Sequence, residues 1–211
     1  MTVRTLVPFL TISSLVLCVI GCGSEGPRRR HLVLLYTSDE HSHLFGSSPE
    51  IDDFPASTLP GDGAIVGGVA RRATLLAGER AAATSAGADV LTVSAGDQNF
   101  GALPQVGFRT SAFDFTIMRE LGYDVMCPGN HEFDLGPHAL AESISAAVAA
   151  GGMPQLVSTN IRFDANDAAD DTLAALYGEG DSTRPLKRYH VVTTPSGLRV
   201  GFVGIMGVSA A

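Results

Sequence analysis

The sequence predicts an α/β fold built on a largely parallel sheet, and two observations carry that prediction. Short apolar runs alternate with longer Ala-rich stretches from residue 32 to residue 158, in the order β, α, β, α, β, α, β. Polar clusters also follow three successive apolar runs, and parallel sheets gather their functional groups at the carboxyl ends of strands.

Residues 32–36 (LVLLY) are a continuous apolar run, which predicts a strand covered on both faces. Residues 46–63 hold three prolines and three glycines and read as an exposed loop. Residues 67–86 are rich in Ala, Leu and Arg and predict a helix. Residues 89–94 (DVLTVS) predict a second buried strand. A helix over 110–121 and a strand over 123–127 come next, then a helix over 137–150 with Pro137 near its start, where a missing N–H is harmless. Residues 155–158 predict a short fourth strand, and the acidic, Ala- and Gly-rich stretch 164–184 a surface loop. Two last strands, 187–194 and 198–205, flank Pro195-Ser196-Gly197 and therefore predict a hairpin.

The chain has 211 residues, 45% of them hydrophobic, enough for one domain with a sizeable core. A net charge of −8 argues against nucleic acid as a partner, because nothing offsets phosphate repulsion. An anionic substrate would then need a local cation, and a bound metal supplies one. Residues 1–21 place Arg4 before an apolar stretch and read as a secretory signal. The run from Leu6 to Ile20 is short for a membrane span, which takes about 20 residues. The signal ends in Val19-Ile20-Gly21-Cys22, which resembles a bacterial lipobox; an ordinary signal or an uncleaved anchor is the alternative. On the first reading Cys22 carries lipid, residues 22–30 form a tether, and the protein sits in the bacterial cell envelope, at the periplasm or the cell surface. Residues 31–211 form the domain. Cys127 is then the one thiol in the folded part, at the end of an apolar strand, and reads as buried and inert.

The three strand ends carry the chemistry. The first gives Asp39-Glu40-His41, the second Gly96-Asp97, and the third Gly129-Asn130-His131-Glu132-Phe133-Asp134. Carboxylate, imidazole and amide oxygen donors with no thiolate suit Mn, Zn, Fe, Co or Ni. Asp39 and His41 lie two apart, so on an extended chain they share a face and Glu40 points away. Asp97 offers two oxygens that could bridge two metals, and Asn130 adds a neutral ligand. Gly96 and Gly129 let backbone approach the metals where a Cβ would clash. His131 and Asp134, three apart, suit a proton donor and the carboxylate that orients it. His43 reads as a solvated loop residue, and His31, His138 and His190 have no assigned role.

In these segments the sequence resembles the 5′-nucleotidase branch of the calcineurin-like metallophosphoesterases. TSDEHSHL matches the D-x-H opening motif, and GGVARRAT, SAGDQNFG, PGNHEFDLG, STNI and RVGFVGI follow in the family's order over about residues 31–205. The resemblance implies the αββα sandwich of that family, with only its N-terminal portion represented here. It implies two divalent metal ions held by Asp39, His41, Asp97 and Asn130, with Asp97 bridging, and a catalytic dyad of His131 and Asp134. The reaction implied is hydrolysis of a small phosphorylated substrate, a nucleotide, by metal-activated water. Two departures stand out. Ser42 follows the D-x-H histidine where the family has Gly, and no G-H-x-H motif occurs, nor the family's C-terminal substrate-gripping half. The expectation is therefore a domain truncated before its closing histidines, binding metal weakly and hydrolysing little alone. A non-catalytic lipoprotein module, or a relative acting on cyclic nucleotides, nucleotide sugars or a sulfur ester, are the alternatives.

Overall fold

The computed structural model describes residues 29–46 and 66–207. The signal, Cys18, Cys22, the tether before residue 29 and most of the loop at 46–63 lie outside them.

Six strands form one parallel sheet: β1 (Leu32–Thr37), β2 (Asp89–Ser94), β3 (Val125–Met126), β4 (Gln155–Val157), β5 (Tyr177–Gly178) and β6 (Leu186–Lys187), in the order β1-β2-β3-β4-β6-β5. The first four strands run across the sheet in sequence order. Parallel crossovers are right-handed, so their connecting helices fall on one face. That face holds α1 (Val69–Ser85), α2 (Phe108–Ser111), α3 (Phe113–Glu120), α4 (Gly136–Ala149) and α5 (Asp171–Ala174). Leu140, Ile144 and Ala147 repeat at helical spacing along α4 and are fully buried with Phe115, Met118, Met126 and Leu156. Each such large side chain contributes about 1.5–3 kcal/mol of burial.

The opposite face receives a hairpin of β7 (Tyr189–Thr193) and β8 (Arg199–Val203), antiparallel with Tyr189 opposite Val203. Its turn is docked by Asp89 at the start of β2, whose carboxylate accepts from Thr194 Oγ1 at 2.6 Å and from the Ser196 hydroxyl. Those hydroxyls hold the Asp89 carboxyl below the usual range.

Four expectations change. β1 is an edge strand and is not covered on both faces: Leu32, Leu34 and Tyr36 stand exposed while Leu35 packs on the core. The expected helix over 110–121 breaks into α2 and α3 at Ala112, which takes φ 44° with its methyl buried. The stretch 164–184 is not only loop, since it contributes α5 and β5. The expected strand over 187–194 changes sheets at Arg188, giving β6 to the main sheet and β7 to the hairpin.

Candidate active site

The loops after β1, β2 and β3 meet at the carboxyl edge of the sheet and are laced together by main chain. Asp39 N–H donates to Gly96 O at 3.0 Å, His41 N–H to Asp97 O at 3.0 Å, and Ser42 N–H to Gln98 O at 2.9 Å. The first two loops thus continue the pairing of β1 with β2 past the strand ends.

Their backbone is unusual for its residue types. Asp39 (φ 59°), His41 (φ 49°), Ser42 (φ 55°), Asp97 (φ 52°) and Phe100 (φ 66°) are all left-handed, a conformation that disfavours a Cβ. Asp39 and His41 therefore do not share a face by strand alternation, as the sequence suggested. The turn itself brings them together, with Asp39 Oδ1 3.9 Å from His41 Nε2. The left-handed turn also accounts for a glycine preference at position 42. Ser42 takes it while wholly buried, and its Oγ donates to Asp114 Oδ2 at 3.0 Å.

Glycines 96 and 129 have a different role from the one expected. A Cβ on Gly129 would lie 2.3 Å from Asp97 Oδ1, and one on Gly96 2.3 Å from Gly129 N. They let the two loops approach one another, and each loop then presents its own donors.

His41, Asp97 and His131 converge, each offering a ligand atom within 4.8 Å of the others. The His41 and His131 rings meet edge to face with centroids 4.9 Å apart. His41 Nδ1 faces Phe100 O at 3.2 Å, so that nitrogen carries the proton and Nε2 keeps its lone pair for a metal. Asp97 Oδ1 accepts the His131 N–H at 3.0 Å. Among the described residues Asp97 Oδ2 has no protein donor and stays open to a cation. His131 Nδ1 donates to Asp134 Oδ2 at 2.8 Å, and that bond raises the imidazole pKa. Asn130 is exposed and lines an open groove with Asp97, Pro128 and Met206. Asp39 opens instead toward a second groove, beside Phe45 and Arg71. The donors that converge as a divalent cation would need are those of His41, Asp97 and His131, while Asp39 approaches His41 and Asn130 shares a groove with Asp97.

Glu40 corrects the sequence reading most sharply. It turns inward and is largely buried, with Oε1 2.6 Å from Arg72 Nη1. Among the described residues neither oxygen finds a well-aligned hydrogen bond, nor does Arg72 Nε, so the contact is Coulombic and not a fork. The guanidinium also sits 5.9 Å from the Tyr123 ring. His43 is exposed, with Nδ1 3.2 Å from Glu40 O, as a solvated loop histidine should be. Burial pushes the Cys127 thiol up to about 11, in keeping with an inert cysteine.

Glu132 and Asp114 were not singled out by sequence reasoning. Asp114 is buried in α3 with Oδ1 unpartnered, and burial lifts its pKa to about 6. Its signal was present: an acid between Phe113 and Phe115 on a helix that must face the core. Glu132 had no such signal, because it lies inside a polar motif beside Asn130, His131 and Asp134, which are not buried.

No family model matches the chain. Protein UshA of Escherichia coli (strain K12) is 33% identical over 110 residues, which cover 52% of this chain and 17% of that one. The 5′-nucleotidase precursor of Thermus thermophilus superposes with a TM-score of 0.58 at 31% identity, covering 84% of this chain and 29% of that one. The chain is related to the 5′-nucleotidases. The calcineurin-like phosphoesterase YfkN of Bacillus subtilis shares the fold, with a TM-score of 0.55 at 21% identity over 86% of this chain and 50% of that one. The fold is thus that of the N-terminal part of a calcineurin-like phosphoesterase domain. The chain spans less than a third of the length of UshA and of the Thermus protein.

Proposed function

We propose that this site hydrolyses phosphate esters, with nucleotides as the substrate class, using divalent metal and a His131–Asp134 dyad. The observation that carries the reading is the convergence of His41 Nε2, the Asp97 carboxylate and the His131 ring, with His131 backed by Asp134. Asp39, His41, Asp97 and Asn130 would hold the metal ions, with Asp97 as the shared ligand. Bound there, the metal supplies Lewis-acid charge for the phosphoryl oxygens and lowers the pKa of water.

The chain's own groups do the rest. The Phe100 carbonyl fixes His41 in the tautomer that presents Nε2. The Asp134 carboxylate fixes His131 with its Nδ1 proton turned away from the site, leaving Nε2 to deliver a proton to the leaving oxygen. The raised pKa keeps that imidazole protonated at higher pH than a free histidine. In this reading water is the nucleophile and attacks phosphorus directly.

Four side chains are few donors for two ions, so Mn²⁺ binding by this chain is expected to be weak and turnover slow. Export by residues 1–21, lipid anchoring at Cys22, a tether over 22–30 and a catalytic domain from residue 31 belong to the same proposal.

The experiment is hydrolysis of AMP with added Mn²⁺, comparing wild type with His131→Ala. Turnover reduced about 10²- to 10⁴-fold in the variant supports the dyad. Equal turnover in both proteins removes it. Cleavage of a cyclic nucleotide or nucleotide sugar with AMP untouched moves the substrate class. Absence of Mn²⁺ binding leaves the non-catalytic module as the reading.

A further inference from the structure

Glu132 is fully buried, yet it sits between His131 and the dyad carboxylate in a loop of mostly accessible residues. Its carboxylate accepts five N–H bonds. Oε2 takes the Asp97 N–H at 3.0 Å and the Gly129 N–H at 2.6 Å. Oε1 takes the Gln98 N–H at 2.8 Å, the Asn99 N–H at 3.2 Å and the Asn99 side-chain amide at 2.9 Å. Four of the five donors are main-chain amides, and they come from the loops after β2 and β3, two of the three that carry proposed ligands. Burial raises the Glu132 pKa while these N–H bonds oppose the rise.

The same peptides reach further. Residue 97 donates to Glu132 and its carbonyl accepts from His41 N–H, and residue 98 donates to Glu132 while accepting from Ser42 N–H. Residues 97–98 are thus clamped between one carboxylate and the D-x-H turn. All three strand-end loops are indexed to a single side chain.

Resting on the metal reading above, we propose that Glu132 is the positioning residue of the site. It touches neither substrate nor metal. Its carboxylate is the template on which the 97–99 and 129–130 backbones take the conformation that presents Asp97 and Asn130 beside His41. A glutamine in its place keeps the volume but turns an NH₂ toward N–H donors that need an acceptor. A residue of purely structural role would lower stability and leave the folded protein's metal affinity alone. A positioning residue changes that affinity.

The test compares the full wild-type chain with Glu132→Gln by two readouts: Mn²⁺ titration followed by the EPR signal of free Mn²⁺, and amide hydrogen exchange. The proposal expects Mn²⁺ affinity of the folded variant to fall about 10- to 100-fold, the range for a partner behind a ligand. It also expects exchange at residues 97, 98, 99 and 129 to accelerate at least about tenfold, while buried amides of α4 keep their protection. Unchanged affinity and unchanged exchange overturn it. Accelerated exchange with unchanged affinity also overturns it, because the role is then structural alone. If wild type binds no Mn²⁺, the metal reading fails, and the exchange at these four amides decides whether Glu132 organises the loops. If the variant does not fold, wild-type exchange decides. Protection equal to the global opening supports the proposal, and rapid exchange at those amides sinks it.

Discussion

The two sides of the site solve the same problem in opposite ways. On one side, the loops after β2 and β3 close around Glu132, a buried carboxylate whose oxygens meet five donors. On the other, the loop after β1 is held by Glu40 against Arg72 and by Ser42 against Asp114, and there Glu40 Oε1 and Oε2, Arg72 Nε and Asp114 Oδ1 have no aligned hydrogen bond among the described residues. Both sides bury charge. The first meets its carboxylate with five aligned donors, the second with one ion pair and one hydroxyl, and a buried carboxylate costs several kcal/mol unless its lone pairs are used. The first side should therefore be rigid and intolerant of change, and the second soft and responsive to pH.

The largest effect that would break this contrast is at Glu132. Glu132→Leu orphans five donors at once and should destabilise the protein by on the order of 4 kcal/mol, read as a fall in the urea midpoint. A loss under about 1 kcal/mol would erase the difference between the two sides. Gly129→Ala comes next, since its Cβ meets the Asp97 carboxylate and main chain, which cannot retreat without breaking the Glu132 bonds. About 2–3 kcal/mol is expected, with Mn²⁺ affinity lost as well.

The softer side gives smaller numbers with a sign that depends on pH. The Asp114 carboxyl titrates near 6 in the fold against an ordinary value of 3.8. The folded state therefore binds its proton more tightly, so the associated stability is complete below about pH 4 and lost as pH rises through 6. Asp114→Asn removes that slope and should raise stability at pH 8 by on the order of 2 kcal/mol, seen by thermal melts across about pH 4–8. A parallel shift of the whole curve with its slope intact would contradict the assignment. Arg72→Met alone strands Glu40 and should cost on the order of 2 kcal/mol, whereas Arg72→Met with Glu40→Leu should return near wild-type stability in a double-mutant cycle. The least is expected of Ser42→Gly. It relieves a left-handed serine and loses one hydrogen bond to Asp114, a net change within about 1 kcal/mol.

The sequence made one side far more legible than the other. The β/α alternation located the sheet, and the strand-end rule located all three loops, because that rule depends on topology and not on side-chain detail. It brought Asp39 and His41 together for the wrong reason, since five non-glycine residues in these loops take left-handed turns that no propensity announces. Glu40 was assigned outward by alternation, and the same turn carried it inward to Arg72. Ala112 breaks a helix with neither Gly nor Pro to mark it. β5 and β6 are two-residue strands, too short for any period to register. Glu132 was hidden by its neighbours: between a histidine and a phenylalanine, nothing local shows that one carboxylate meets amides 33 to 35 positions away.

The run of left-handed residues has a consequence for how this protein can change over time. At Asp39, His41, Ser42, Asp97 and Phe100, glycine would be the easier residue for the backbone, but Ser42 bonds Asp114, Asp97 accepts the His131 N–H and Phe100 packs on Phe108, so those side chains return part of the cost. Replacement by glycine would relieve the backbone at least cost at Asp39, whose side chain is mostly exposed. The carboxylate, imidazole, hydroxyl and phenyl groups at these positions are thus held at a conformational cost that the contacts of the loops must offset.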